Sequence, residues 1–109
     1  MDALLVITNL PDADAARKLA QTLVERNLAA CVNILAPCLS VYRWSGKIEN
    51  AAEVPLLIKT TAARYADLEA AIRAAHPYEL PEVIAVRIER GLPEYLAWVA
   101  AECNDRAEP

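Results

Sequence analysis

The segment His76-Pro77-Tyr78-Glu79-Leu80-Pro81-Glu82 concentrates the chemistry of this chain. It carries the only histidine, a tyrosine and two carboxylates, and its two prolines restrict a short loop. A residue ahead of proline is steered away from helical geometry, so a helix must stop at His76, where the macrodipole favours an imidazolium. On a rigid loop, this set offers a ligand or acid–base site. The alternative is structural, with the same side chains fixing the loop and capping the helix. Cys31, Cys38 and Cys103 add thiols. Cysteine with histidine suits soft or borderline ions such as copper or zinc, but no CxxC occurs, and a structural zinc site wants four ligands at recognisable spacings. Cys31 and Cys38 are seven residues apart, which places them on opposite faces of an ideal strand unless Pro37 resets the alternation. Cys103 falls on the apolar side of the last helix and reads as core.

Other chemistries find less support. The apolar run Leu28-Ala29-Ala30 ahead of Cys31 raises a thiol pKa and dulls a nucleophile. Neither Ser40 nor Ser45 lies in a nucleophile-elbow motif. Tyr42 and Trp44 alternate on one strand face with Ser40, and Lys59 lies near the end of the partner arm. They read either as cross-strand aromatic packing or as the wall of an intersubunit cleft that takes in Lys59 and the His76 loop.

The elements that position these residues follow from periodicity. Residues 3–7 form an apolar run that predicts a strand buried on both faces. Asp12 then reads as the N-cap of an amphipathic helix to about Asn27, with Ala16, Leu19, Ala20, Leu23, Val24 and Leu28 on one side. Residues 31–44 and 47–61 alternate as the two arms of a long hairpin around Ser45-Gly46. Pro37 and Pro55 predict a kink in each arm. Tyr65, Leu68, Ile72 and Ala75 mark a second helix ending at His76. Residues 83–88 predict another buried strand, and Gly91-Leu92-Pro93 opens a last helix with Leu92, Tyr95, Leu96, Val99 and Cys103 on one side. The order β-α-β-β-α-β plus a C-terminal helix is an α+β, ferredoxin-like pattern in one domain over residues 1–103, with a frayed polar tail at 104–109. Two helices cover one sheet face, and the last helix or a neighbouring subunit must hide the other. The hairpin overhangs the shorter strands, and such an overhang invites pairing with another chain.

Composition bounds the function. The 109 residues carry 11 Lys+Arg against 15 Asp+Glu, a formal charge of −4 that argues against a nucleic-acid binder. Only two glycines occur, which excludes a glycine-rich phosphate loop. No apolar run approaches the roughly 20 residues of a membrane helix, and no basic n-region precedes the first apolar stretch. A cytoplasmic address without membrane attachment is therefore expected. Three cysteines, an odd number, read as reduced thiols. An apolar content of 56% is high for so short a chain and predicts burial against further copies of itself.

The motifs Leu28-Ala29-Ala30-Cys31-Val32-Asn33, Ser40-Val41-Tyr42-Arg43-Trp44 with Gly46-Lys47-Ile48, Leu57-Ile58-Lys59-Thr60-Thr61, the His76 segment and Tyr95-Leu96-x-Trp98 together resemble CutA, the divalent-cation tolerance family, over roughly residues 3–100. The resemblance implies a ferredoxin-like subunit in a tight cytoplasmic homotrimer, similar in architecture to PII-type signalling proteins. It implies tolerance of copper and other divalent cations, with a metal ion or small anionic ligand bound in intersubunit clefts and no required cofactor; the thin supply of nucleophiles, metal ligands and phosphate loops counts against an enzyme. Carried over by position, His76, Glu79 and Cys31 are the implied metal ligands, and Tyr42, Trp44, Lys59, Tyr78, Glu82 and Trp98 line the ligand cleft. Thr8 and Ala75 stand where some copper-associated members carry a cysteine and a histidine. A stress-linked scaffold or signalling trimer without intrinsic metal function is the alternative, and a small His/carboxylate enzyme is the third.

Overall fold

The structure, a computed structural model, describes residues 2–104; the tail beyond Asn104 lies outside the described residues. The first strand, β1 (Ala3–Leu10), leads through Asp12 into helix α1 (Ala13–Glu25). Asp12 caps it as expected, its carboxylate accepting the Ala15 N–H at 2.8 Å. The helix closes two residues earlier than the apolar spacing predicts, because Asn27 turns left-handed (φ 57°). Leu28 N–H then donates to the Leu23 carbonyl at 2.9 Å and Asn27 N–H to that of Val24 at 3.1 Å, the paired bonds of a Schellman ending.

The expected first hairpin arm is two strands, β2 (Cys31–Ile34) and β3 (Cys38–Trp44), both laid antiparallel along the single long strand β4 (Lys47–Thr61). Pro37 lies in the break. From Ile34 to Cys38 the chain advances four residues while its partner, from Leu56 to Glu53, advances three. This one-residue excess is that of a bulge, and it resets the side-chain alternation. Pro55 does not kink β4. The Leu35 N–H donates to its carbonyl at 2.9 Å, so its nitrogen also points at the edge where residues 35–37 leave the ladder. The proline thus sits where no donor is required. Ser45 (φ 51°) and Gly46 (φ 78°) make the two-residue turn of a type I′ hairpin, flanked by the pair Trp44 and Lys47.

Helix α2 (Tyr65–Ala75) follows a short 3-10 turn at Ala62–Arg64, and it stops where Pro77 requires: His76 is extended at ψ 133°. The edge strand β5 (Ile84–Arg87) and helix α3 (Pro93–Glu102) complete the chain. The sheet runs β2-β4-β1-β5, all pairs antiparallel, with β3 extending the β2 side of β4, an α+β ferredoxin-like arrangement. Fifteen residues of β4 at about 3.4 Å each make the molecule long, 45 Å against 23 Å in its shortest direction.

The even-numbered residues of β1 and β4, among them Val6, Leu10, Leu56 and Ile58, pack against Leu19 and Leu23 of α1 and Leu68 and Ile72 of α2. The odd-numbered face is covered differently. Helix α3 reaches β4 and β1, and Ala3 and Thr61, paired across those strands, are buried. Further along that face Leu5, Ile7 and Leu57 are only half-buried. The expectation that β1 is buried on both faces therefore fails past Ala3, where α3 no longer covers this face. The expectation of a buried last strand fails too: β5 is a sheet edge, and Ile84 and Val86 are about half exposed (50% and 51%). The helix-side face of the hairpin reaches past the helices and leaves Leu39, Val41 and Ile48 uncovered, each more than 60% exposed. Of the apolar side expected for α3, Val99 and Cys103 are buried while Leu92 is exposed.

Candidate functional site

The loop after α2 is held by His76. The Nε2–H of its buried ring donates to the Asn9 carbonyl at 2.6 Å, and its Nδ1 accepts the Tyr78 N–H at 3.2 Å. A carbonyl can only accept and an amide N–H can only donate, so the two bonds specify the neutral tautomer with hydrogen on Nε2. Odd residues of β1 direct their backbone groups toward β5; the Ala3 carbonyl, for example, accepts from Ile88. At Asn9 strand β5 has already ended, and the imidazole takes its place in the ladder. The Asn9 side chain in turn donates to Glu82 at 2.9 Å. The Tyr78 ring leans on the imidazole with centroids 4.7 Å apart.

Between this loop and the hairpin lies a cleft of about 870 Å³. The bulge between β2 and β3 and the tight turn at Ser45-Gly46 set its far wall: Ser40, Tyr42 and Trp44 share a face with Ala51 and Glu53 of β4. Pro77, Tyr78, Glu79, Leu80 and Glu82 form the near wall. Tyr78 faces Glu53 across the gap. Burial first, then the neighbouring Glu53 carboxylate, followed by Tyr42 and Asp12, pushes its pKa up to about 12, so the phenol stays neutral. The cleft therefore takes in Tyr42, Trp44, Tyr78 and Glu82 of the expected ligand-cleft residues, together with Glu79 of the expected metal ligands. It also contains Asn9 and Glu53, which the sequence reading missed. The signal for Glu53 was present: with the register pinned by Ser45-Gly46, every second residue of β4 back from Lys47 must face the Trp44 side.

Lys59 and Trp98 do not line this cleft within the one chain. Lys59 is the cross-strand partner of Cys31; its Nζ lies 3.8 Å from the Cys31 sulfur and donates to the Asn33 side chain. Trp98 belongs to α3, where its ring meets Tyr95 at 5.5 Å between centroids. Tyr95 borders Cys31, and burial together with that neighbour raises its phenol pKa. Cys31, Asn33, Lys59, Tyr95 and Trp98 thus make a second group near the opposite end of the open face. They are separated from the cleft because the sheet, not the loop, positions them.

A copper or zinc centre built on His76, Glu79 and Cys31 does not fit one subunit. Both imidazole nitrogens already serve the backbone, and a metal on Nδ1 would take the acceptor from the Tyr78 amide. Cys31 and Cys38 do share a face, through the alternation reset, but their partners Lys59 and Glu53 are six positions apart on β4, about 20 Å. Cys103 is buried, and desolvation raises its thiol pKa. Thr8 is fully buried on the helix-covered face, away from the cleft. Among the described residues no three His, Cys, Asp or Glu side chains converge as a metal site.

Comparison with known proteins places this geometry in context. The family model described as CutA1 divalent ion tolerance protein matches residues 4–102. A Xenopus laevis protein named Protein CutA homolog is 47% identical over 89 residues; the match covers 82% of this chain and 59% of the longer relative. The crystal structure of CutA from the plant-pathogenic bacterium Xylella fastidiosa superimposes with a TM-score of 0.92 at 44% identity, covering 95% of this chain and all of that one. A structure from Archaeoglobus fulgidus, described as a periplasmic divalent cation tolerance protein CutA, gives a TM-score of 0.91 at 36% identity, covering 94% of this chain and 99% of that one.

Proposed function

This chain belongs to the CutA1 divalent ion tolerance protein family, and we propose that it serves divalent-cation tolerance as a non-enzymatic, homotrimeric binding protein. Its ligand occupies the cleft between the β3–β4 hairpin and loop 76–82. The cleft itself is the observation that carries this reading. Two aromatic side chains of the hairpin and a tyrosine and two carboxylates of a distant loop converge on one concavity, and its volume is that of small-molecule sites. Support for the trimer comes from the uncovered apolar side chains Leu39, Val41, Ile48, Ile84 and Val86, more than a self-sufficient subunit leaves in water. The three unpaired thiols suit a reducing, cytoplasmic compartment. No helix among the described residues is long and apolar enough to cross a membrane.

A divalent ion in the same cleft is the second reading, favoured by the hard oxygen donors of Glu53, Glu79 and Glu82. It requires further donors supplied on assembly. A thermal-shift panel of divalent ions, anions, amines and neutral polar compounds, run on the wild type and a Trp44→Ala/Glu82→Gln variant, tests the cleft. At least one class is expected to raise the wild-type melting temperature and to lose its effect in the variant. Absence of any response, or a response unchanged in the variant, would overturn the reading.

A further inference from the structure

We infer that the cleft is built for a small organic cation, an ammonium group carrying methyl or methylene substituents. This rests on the binding-protein reading above and narrows it to a ligand class.

Charge is the first observation. The ionisable lining consists of the carboxyl groups of Glu53, Glu79 and Glu82 and the phenols of Tyr42 and Tyr78; among the described residues of this subunit no Lys, Arg or His lines the cleft. An anionic ligand would meet a field of its own sign on these walls. The lysine that such a ligand would have used, Lys59, is engaged with Cys31 and Asn33 instead. One of the carboxylates, Glu82, is held in place by the Asn9 amide.

The aromatic rings that share both walls with the carboxylates are the second observation. Trp44, Tyr42 and Tyr78 present aromatic rings to the same space. The ring quadrupole attracts a cation over its face, most strongly for tryptophan. A bare divalent ion gains little from such walls, since it wants several convergent oxygens at 2.0–2.6 Å, and no such convergence exists among the described residues. A cleft of about 870 Å³ is also far larger than one ion requires. A polyatomic ammonium uses everything present: carboxylates for its charge, rings for its polarised methyl or methylene groups, and volume for its body.

The experiment uses the full chain with Trp98→Phe, which leaves Trp44 as the sole tryptophan reporter. Trp44 emission is titrated with choline, with its uncharged isostere 3,3-dimethylbutanol, with acetate and with magnesium and copper ions. Choline is expected to give a saturable change, and the isostere to bind at least about fivefold more weakly. Glu79→Gln and Glu53→Gln, which keep side-chain size, are each expected to weaken choline binding about threefold or more while leaving the circular dichroism spectrum intact. Equal binding of the isostere, saturation by acetate or by metal ions alone, or no response to choline would overturn the inference. The broader reading survives any of these if the thermal-shift panel still finds a ligand class lost with Trp44→Ala/Glu82→Gln, so the two failures are distinguishable.

Discussion

Replacing His76 by alanine separates a ligand from a clamp. In the structure the imidazole donates to the Asn9 carbonyl, accepts the Tyr78 N–H and packs against the Tyr78 ring. Each neutral hydrogen bond contributes about 0.5–1.5 kcal/mol net, and an aromatic pair of this kind about 0.5–1.5 kcal/mol more. His76→Ala should therefore cost about 2–4 kcal/mol. Asn9 and Tyr78 each lose a partner, and on the β5 side of Asn9 the ladder has already ended, so no strand there replaces it. His76→Gln, able to keep one of the two bonds, should recover part of the loss. Urea unfolding of the three proteins at one fixed protomer concentration measures this, since assembly makes stability concentration-dependent. Copper titration of the same samples, with blocked N-termini, supplies the second axis: affinity should change little, because neither ring nitrogen is free to ligate. A stability change below about 0.5 kcal/mol accompanied by a large loss of copper affinity would refute the clamp and restore His76 as a metal ligand.

Two further outcomes follow from features already described. Light scattering should give about three times the chain mass of 11.9 kDa, and Leu39→Asp, at an uncovered position on the hairpin, should shift the protein toward smaller species, whereas Arg17→Ala on the solvent side of α1 should not. Alkaline titration should show Tyr78 ionising late, at about pH 12 instead of 10, chiefly through burial. A phenol with a folded pKa above its unfolded one adds stability that is complete below pH 10 and lost as the pH rises through about 12; Glu53→Gln should bring that loss to lower pH, and tyrosinate absorbance measures both.

The sequence shows the elements of this fold more clearly than their coverage. Asp12, Ser45-Gly46 and Pro77 act within a few residues of themselves, so the cap, the turn and the helix stop are visible in the chain and recur in the structure. The break at Pro37 was legible as a disturbance but not as a split, because its outcome depends on how many residues β4 supplies opposite it. Exposure of β5 was hidden for a related reason: an apolar run such as Ile84-Ala85-Val86 looks the same whether its cover comes from the same chain or from another. At the site, Tyr42 and Trp44 could be placed on one face from alternation alone, and the loop residues grouped by proximity in sequence. Lys59 shares their strand-face parity, and what excludes it is distance along β4, which alternation does not measure. Glu53 follows from that alternation once the Ser45-Gly46 turn fixes the register, whereas Asn9 acquires meaning only when the loop folds onto it.

The bulge between β2 and β3 also bears on the order in which the sheet assembles. The β3–β4 pairing is local, with partners from Trp44–Lys47 out to Cys38–Glu53, whereas β1 meets β4 through partners as distant as Ala3 and Thr61. Local hairpins close in microseconds, and long-range strand pairing waits on loop closure. The hairpin half of β4 is thus expected to form first, its register dictated by the Ser45-Gly46 turn alone. The remainder of β4 must later receive β2 and β1 in a register chosen by the buried core. Without slack, an error in either half would be forced on the other. The extra residue in the stretch between Ile34 and Cys38 uncouples the two. The protein can therefore complete its nucleus and its core as separate events on one continuous strand, and a variant with one residue deleted from 35–37 should refold slowly even if its hairpin forms at the normal rate.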